Sequence, residues 1–252
     1  MNMKMLGSAL AIATLVAPIA YAQSSGNFSA SGTGASCVIG AGGALSGGTS
    51  LGSFTANIST GSGNGTTLDI RPSLVTGLFT DTKINTTIST SSADVGIQVC
   101  VKVDGSSNGV LPSSCVTYDQ RFQQISSQLF SQLTACTAAP TTTVCSTSAD
   151  CASLGTGFTC SVPTGATAGV CVGPNPLCNF DLILSTLSAH SFDFVVSVDN
   201  KKPHVVDASW KVIGAGASNG NASVASCVGP GILTVTQTKV FNNSGALTFT
   251  SN

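Results

Sequence analysis

The 252-residue chain contains two histidines, and both sit in the same local phrase, His-x2-Asp: His190 with Asp193 and His204 with Asp207. Imidazole and carboxylate are common ligands of divalent metals and common partners in proton transfer. On a β-strand, however, residues three apart point to opposite faces. If these segments are strands, neither pair converges. Each histidine is then expected at a strand start, bonded to neighbouring backbone. The polar run Asp199-Asn200-Lys201-Lys202-Pro203 between them reads as a turn, with His204 opposite about Ser197.

The acids are ten aspartates; there is no glutamate. Asp69 with Arg71, and Asp119 with Arg121, stand at i, i+2. On a strand each pair shares one face. That suggests solvated ion pairs worth under ~1 kcal/mol, not the converging carboxylates of a glycosidase. Asp207 is a third outward carboxylate. Asp81 and Asp104, read as loop residues, offer oxygens for calcium without EF-hand spacing. No Walker loop, dinucleotide fingerprint or His-Glu-x-x-His motif occurs. Serine and threonine are too abundant for any one serine to stand out as a nucleophile. No catalytic, cofactor-binding or metal-binding residue is assigned, and no cofactor is expected.

Composition narrows the class. Nine basic against ten acidic residues, a net charge of -1, leave no electrostatic footprint for nucleic acid. An apolar fraction of 42% with little net charge argues against disorder. Residues 1–22 carry Lys4, an apolar stretch from 6 to 19 and then Ala20-Tyr21-Ala22. This reads as a secretory signal cleaved before Gln23. The stretch is short of the ~20 apolar residues of a membrane span, and no later segment reaches that length. The mature chain is expected to be secreted, periplasmic or on the extracellular surface.

The elements that must position any site are strands. Residues 23–65 are rich in Gly, Ser and Thr, with short strands around 37–39 and 54–58. From Leu68 alternation sharpens. Val95, Ile97, Val99, Val101 and Val103 share a face opposite Gln98, Cys100 and Lys102. Val116 and Tyr118 oppose Cys115. Phe192, Phe194, Val196 and Val198 alternate, as do His204, Val206, Ala208, Trp210 and Val212. Segments 232–241 and 247–249 close the series. Short alternating strands with polar turns predict an all-β antiparallel sandwich over 66–252. Phe122, Ile125, Leu129 and Leu133 have near-helical spacing, which fits a short helix or a crossing strand.

All ten cysteines follow the leader, and an even number in an exported chain implies disulfides. A metal site would want C-x2-C pairs or histidine partners, and no two cysteines are closer than Cys145 and Cys151. Cys100 and Cys115 both point outward and flank the polar turn 104–108. Pairing them closes a loop worth roughly 3 kcal/mol. Cys136 and Cys178 bracket a cysteine-dense stretch and are paired as the base of an insert spanning 136–178. Within it, C-x5-C-x8-C-x10-C from Cys145 to Cys171, with Asp150-Cys151, resembles small four-cysteine modules of secreted proteins over about 27 residues. That resemblance implies alternate pairing, Cys145 with Cys160 and Cys151 with Cys171. Cys37 and Cys227, each in Ala-Ser-Cys-Val, remain and are paired by elimination, worth nominally ~5 kcal/mol.

The phrase LSAHSFDFVVSVDNKKPHVVDASW, residues 187–210, resembles the late strands of C1q/TNF-type jelly rolls and of related bacterial surface proteins. The similarity runs over about 90–130 and 179–241, with Lys202-Pro203 where a glycine normally precedes His-x-Val. It implies a jelly-roll-like sandwich with a buried aromatic and tryptophan on two adjacent strands. RPSLVTGLF and TYDQRFQQISSQLF also resemble exported bacterial proteins of unassigned activity. The resemblance implies a fold and no chemistry. The expected function is therefore a secreted or cell-surface structural or interaction protein without catalysis, self-associating or binding a surface partner. The alternative is a jelly-roll module for carbohydrate or another small ligand.

Overall fold

The computed structural model describes residues 26–61, 66–86, 88, 90–126, 128–131, 134–200, 202–218 and 221–239. The leader, residues 240–241 and segment 247–249 lie outside them. In chain order the strands are β1 (Phe28–Thr33), β2 (Cys37–Ile39), β3 (Leu45–Gly47), β4 (Gly52–Ser59), β5 (Thr66–Asn85), β6 (Thr90–Val103) and β7 (Cys115–Ser126). After two helical turns, α1 (Gln128–Ser131) and α2 (Thr134–Thr137), come β8 (Ala139–Cys145), β9 (Thr159–Ser161) and β10 (Gly169–Gly173). Then follow β11 (Asn179–Ser191), β12 (Phe194–Val198), β13 (Pro203–Ser218) and β14 (Ala222–Lys239).

Two antiparallel sheets make the sandwich. One has the order β1-β14-β5-β11, with β12 also on β5; the other is β4-β13-β6-β7. The chain crosses between the sheets from β4 to β5, β5 to β6, β12 to β13 and β13 to β14, and β1 and β4, from the Gly/Ser/Thr-rich segment, are structural strands of opposite sheets. The two inner faces meet in one apolar core. Val95, Ile97, Val99 and Val101 of β6 are fully buried, facing Leu68, Ile70 and Leu78 of β5 and Leu233 and Val235 of β14. Trp210 stacks at a tilt on Phe54, ring centroids 5.0 Å apart. Apolar side chains at every second position leave the intervening polar ones to solvent, which is why alternation alone specifies this packing.

Five disulfides join Cys37–Cys227, Cys100–Cys115, Cys136–Cys178, Cys145–Cys160 and Cys151–Cys171. The first clamps the small β2–β3 hairpin onto the outer face of β5 and β14. Gly77 of β5 lies directly beneath it, opposite Cys227. A Cβ there would stand 2.5 Å from Cys37 Sγ and 2.8 Å from Cys227 Sγ. Only glycine leaves room for the bridge. The segment 136–178 forms a separate three-stranded sheet, β8-β10-β9, around its own core of Cys145, Cys151 and Cys171.

Two local expectations change, and Phe122 and Ile125 take the strand alternative. β12 and β13 are not adjacent strands of one sheet: β12 lies on β5, whereas His204 of β13 faces Ile58 of β4. The connection through Asp199 is a crossover between sheets, which a turn-like composition does not distinguish from a hairpin. Segment 122–126 is strand, with Phe122 66% exposed; helix begins only at Gln128. Most consequentially, β7 carries a bulge where Ile97 faces Asp119 but Gln98 faces Thr117. The extra residue, Tyr118, inverts the alternation beyond it.

Gly77→Ala should be destabilised by about 1–3 kcal/mol through overpacking against the bridge. Thermal unfolding under oxidising conditions measures this; an unchanged midpoint would mean that the Cys37–Cys227 contact does not press on β5.

Candidate functional site

Because of the bulge, Asp119, Arg121 and Gln123 turn toward the sandwich interior instead of toward solvent. They face the other sheet along the gap between β7 and the β5–β11 pair. Asp119 Oδ2 accepts from Thr76 Oγ1 at 3.1 Å and Ser188 Oγ at 3.3 Å. Arg121 donates to Thr186 Oγ1 at 2.6 Å and to the carbonyl of Leu78 at 3.4 Å. Gln123 accepts from Thr80 and donates to Thr82 and to the carbonyl of Leu182. Asp119 and Arg121 are thus not a solvated pair with each other; each is spent on the opposite sheet.

This seam contains a serine, a histidine and an aspartate. Ser188 Oγ lies 2.6 Å from His190 Nε2, and Asp119 Oδ2 lies 3.7 Å from the same nitrogen. A nucleophilic relay needs the serine on one ring nitrogen and the acid on the other. Here both crowd Nε2, and Ser188 is bonded to the acid as well. The trio is a cross-sheet polar contact. Tyr118 beside it donates to the carbonyl of Pro72 at 2.7 Å. Burial pushes its phenol far above the ordinary value, only partly offset by a hydrogen bond with the Phe192 backbone, so it stays a neutral donor.

The second histidine organises one end of the sandwich. His204 is 3% exposed, with Nδ1 2.7 Å from Asp104 Oδ2 and Nε2 3.0 Å from the carbonyl of Asp199. Asp104 Oδ1 also accepts the Val205 N–H at 2.9 Å. Thr60 Oγ1 donates to the Asp199 and Lys202 carbonyls, tying the β4 end into the same knot. Partial burial acts to raise the Asp104 carboxyl, but the bonds from His204 and Val205 outweigh it and hold it below the ordinary carboxylate range.

Neither histidine uses the aspartate three residues on. Asp193 forms a two-point pair with Arg71, Nη2 to Oδ2 at 2.7 Å, and Asp207 accepts from Thr55 at 2.6 Å. Asp69 consequently loses Arg71 as a hydrogen-bonding partner; burial and the neighbouring Asp193 raise it above the usual carboxylate range. The two loop aspartates named as calcium oxygens do not come together. Asp81 lies on β5 with Lys83, Nζ to Oδ2 3.2 Å, while Asp104 is held by His204. The sulfurs of Cys145, Cys151 and Cys171 lie within 4.8 Å of one another, but each is in a disulfide and offers no thiolate. Gly-x-Ser-x-Gly runs occur around Ser50, Ser107 and Ser218. Ser50 and Ser107 lie between two strands and Ser218 ends β13; none of the three is at the strand-to-helix elbow a nucleophile needs.

Asp104→Asn should cost about 1–2 kcal/mol, since it removes a charge-assisted partner from a buried ring. Asp104 has a depressed folded-state pKa, so its stabilisation is present above the unfolded value near 4 and is lost as pH falls through the folded value. Chemical denaturation across acid pH should show a shallower acid limb in the variant; parallel limbs would remove Asp104 as the cause.

Neither a scan of protein-family models nor a search of curated proteins found a match to this chain.

Proposed function

We propose that this chain is an exported structural or interaction protein of the cell surface or secreted space, without catalysis, that self-associates through a sheet edge. The repeated crossings between the two sheets support reading the sandwich as jelly-roll-like, a fold that carries surface and assembly proteins as readily as ligand-binding ones. Five disulfides fit an oxidising compartment, and no helix among the described residues is long and apolar enough to cross a membrane.

The observation that carries the reading is β11. It is a 13-residue edge strand, paired with β5 alone. Its titratable residues are Asp181, near one end, and His190, near the other. Between them Ile183, Leu184 and Leu187 are each more than 40% exposed. Proteins normally blunt such an edge with charge, proline or a short strand. β11 has none of these along its middle, so adding a strand from another molecule desolvates little charge and buries apolar surface.

Light scattering on the oxidised protein should show mass rising with concentration. Leu184→Lys, which places charge on the edge, should return it toward the monomer. A wild-type protein monomeric at every concentration would overturn the assembly reading.

A further inference from the structure

The outer face of the β4-β13-β6-β7 sheet carries a groove of about 500 Å³. It is lined by the Cys100–Cys115 bridge and by Gly52 and Trp210, whose indole packs on the inner face of the sheet. A Cβ at Gly52 would meet the indole Cζ2 at 2.2 Å on that inner face, so β4 needs glycine there. Lys102 and Lys211 line the groove together with Ser53, Ser107, Ser114 and Ser209.

The pairing of the cations singles this groove out. Arg71 is bonded to Asp193, Lys83 to Asp81 and Asp181, and Lys202 to Asp199. Arg121 is inserted into the sheet seam. Lys102 and Lys211 are the remaining cations with described side chains; both are exposed, and neither forms an ion pair among the described residues. Asp207 stands opposite Lys102 across the strands but is held by Thr55. The four serine hydroxyls likewise have no partner in the chain among the described residues. Lys102 faces Asp207 and Lys211 faces Gln98, so the two lysines are four residues apart along the strand direction. That is about 13 Å at the rise of an extended strand, too far to grip one small anion.

We infer that this groove binds an anionic polysaccharide, with Lys102 and Lys211 contacting acidic groups on separate sugar units and the serines hydrogen-bonding the hydroxyls between them. The site is on the sheet opposite to β11 and does not depend on self-association. A chain of net charge -1 has no general attraction for a polyanion, so binding would report a local site.

The test is retention of the full oxidised protein on immobilised heparin (sulfated) and alginate (carboxylated), with neutral dextran as reference. Salt-sensitive retention on either charged matrix but not on dextran is expected, and which matrix retains it identifies the acid recognised. K102Q/K211Q should bind about tenfold more weakly, the size expected for two exposed charge contacts. K83Q, on the other sheet, should behave as wild type, and K102R/K211R should retain binding. No retention on either charged matrix, or equal retention by K102Q/K211Q, would overturn the assignment. So would loss of retention in K102R/K211R.

Discussion

The side of a two-sheet sandwich must be closed, and here it is closed with polar groups. Between β7 and the β5–β11 pair, one bulge residue turns three successive inward positions of β7 into Asp119, Arg121 and Gln123. Burying these would be costly if they were left unpaired. The threonines and serines of the facing strands satisfy them one by one, at Thr76, Thr80, Thr82, Thr186 and Ser188. The abundance of hydroxyl residues in this chain is therefore partly structural. They supply short, low-entropy partners where a longer side chain would not fit between two sheets.

That arrangement also commits the residues with chemical promise to structural contacts. Catalytic groups need a partner geometry that leaves one reactive atom free toward a substrate. His190 shares one nitrogen with both Ser188 and Asp119, and His204 has an acceptor at each nitrogen. Each is spent on holding two segments of chain together.

The legible part of this fold is what period-two patterning encodes. The valine ladder of β6 and the alternation of β13 determine which side chains enter the core. Their parity also sends Cys100 outward, where it meets Cys115 directly across the strands. What patterning does not carry is a change of parity. Read through Tyr118 without a break, β7 sends Asp119 and Arg121 to solvent as a pair; a single inserted residue sends them across to the other sheet. Crossovers are hidden for the same reason. Asp199 to Pro203 has the composition of a hairpin turn, but the strands on either side join different sheets. Long-range partners such as Asp104 for His204, a hundred residues apart, leave no local trace at all.

A scarcity of charge has opposite consequences on the two sheets. With 8% charged residues, Arg71, Lys83 and Lys202 are committed to aspartate pairs, and long stretches of strand carry no charge. On an edge such as β11 this removes the electrostatic cost that normally keeps strand edges apart. On a face rich in serine it leaves Lys102 and Lys211 outside any ion pair among the described residues, with Asp207 opposite Lys102 held by Thr55. Adding charge generally across this surface would raise solubility, but it would also blur both features: the edge would become repulsive and the groove would lose its contrast with its surroundings. Sparse charge is thus the condition under which the proposed adhesive edge and the proposed charged groove could coexist on one small sandwich.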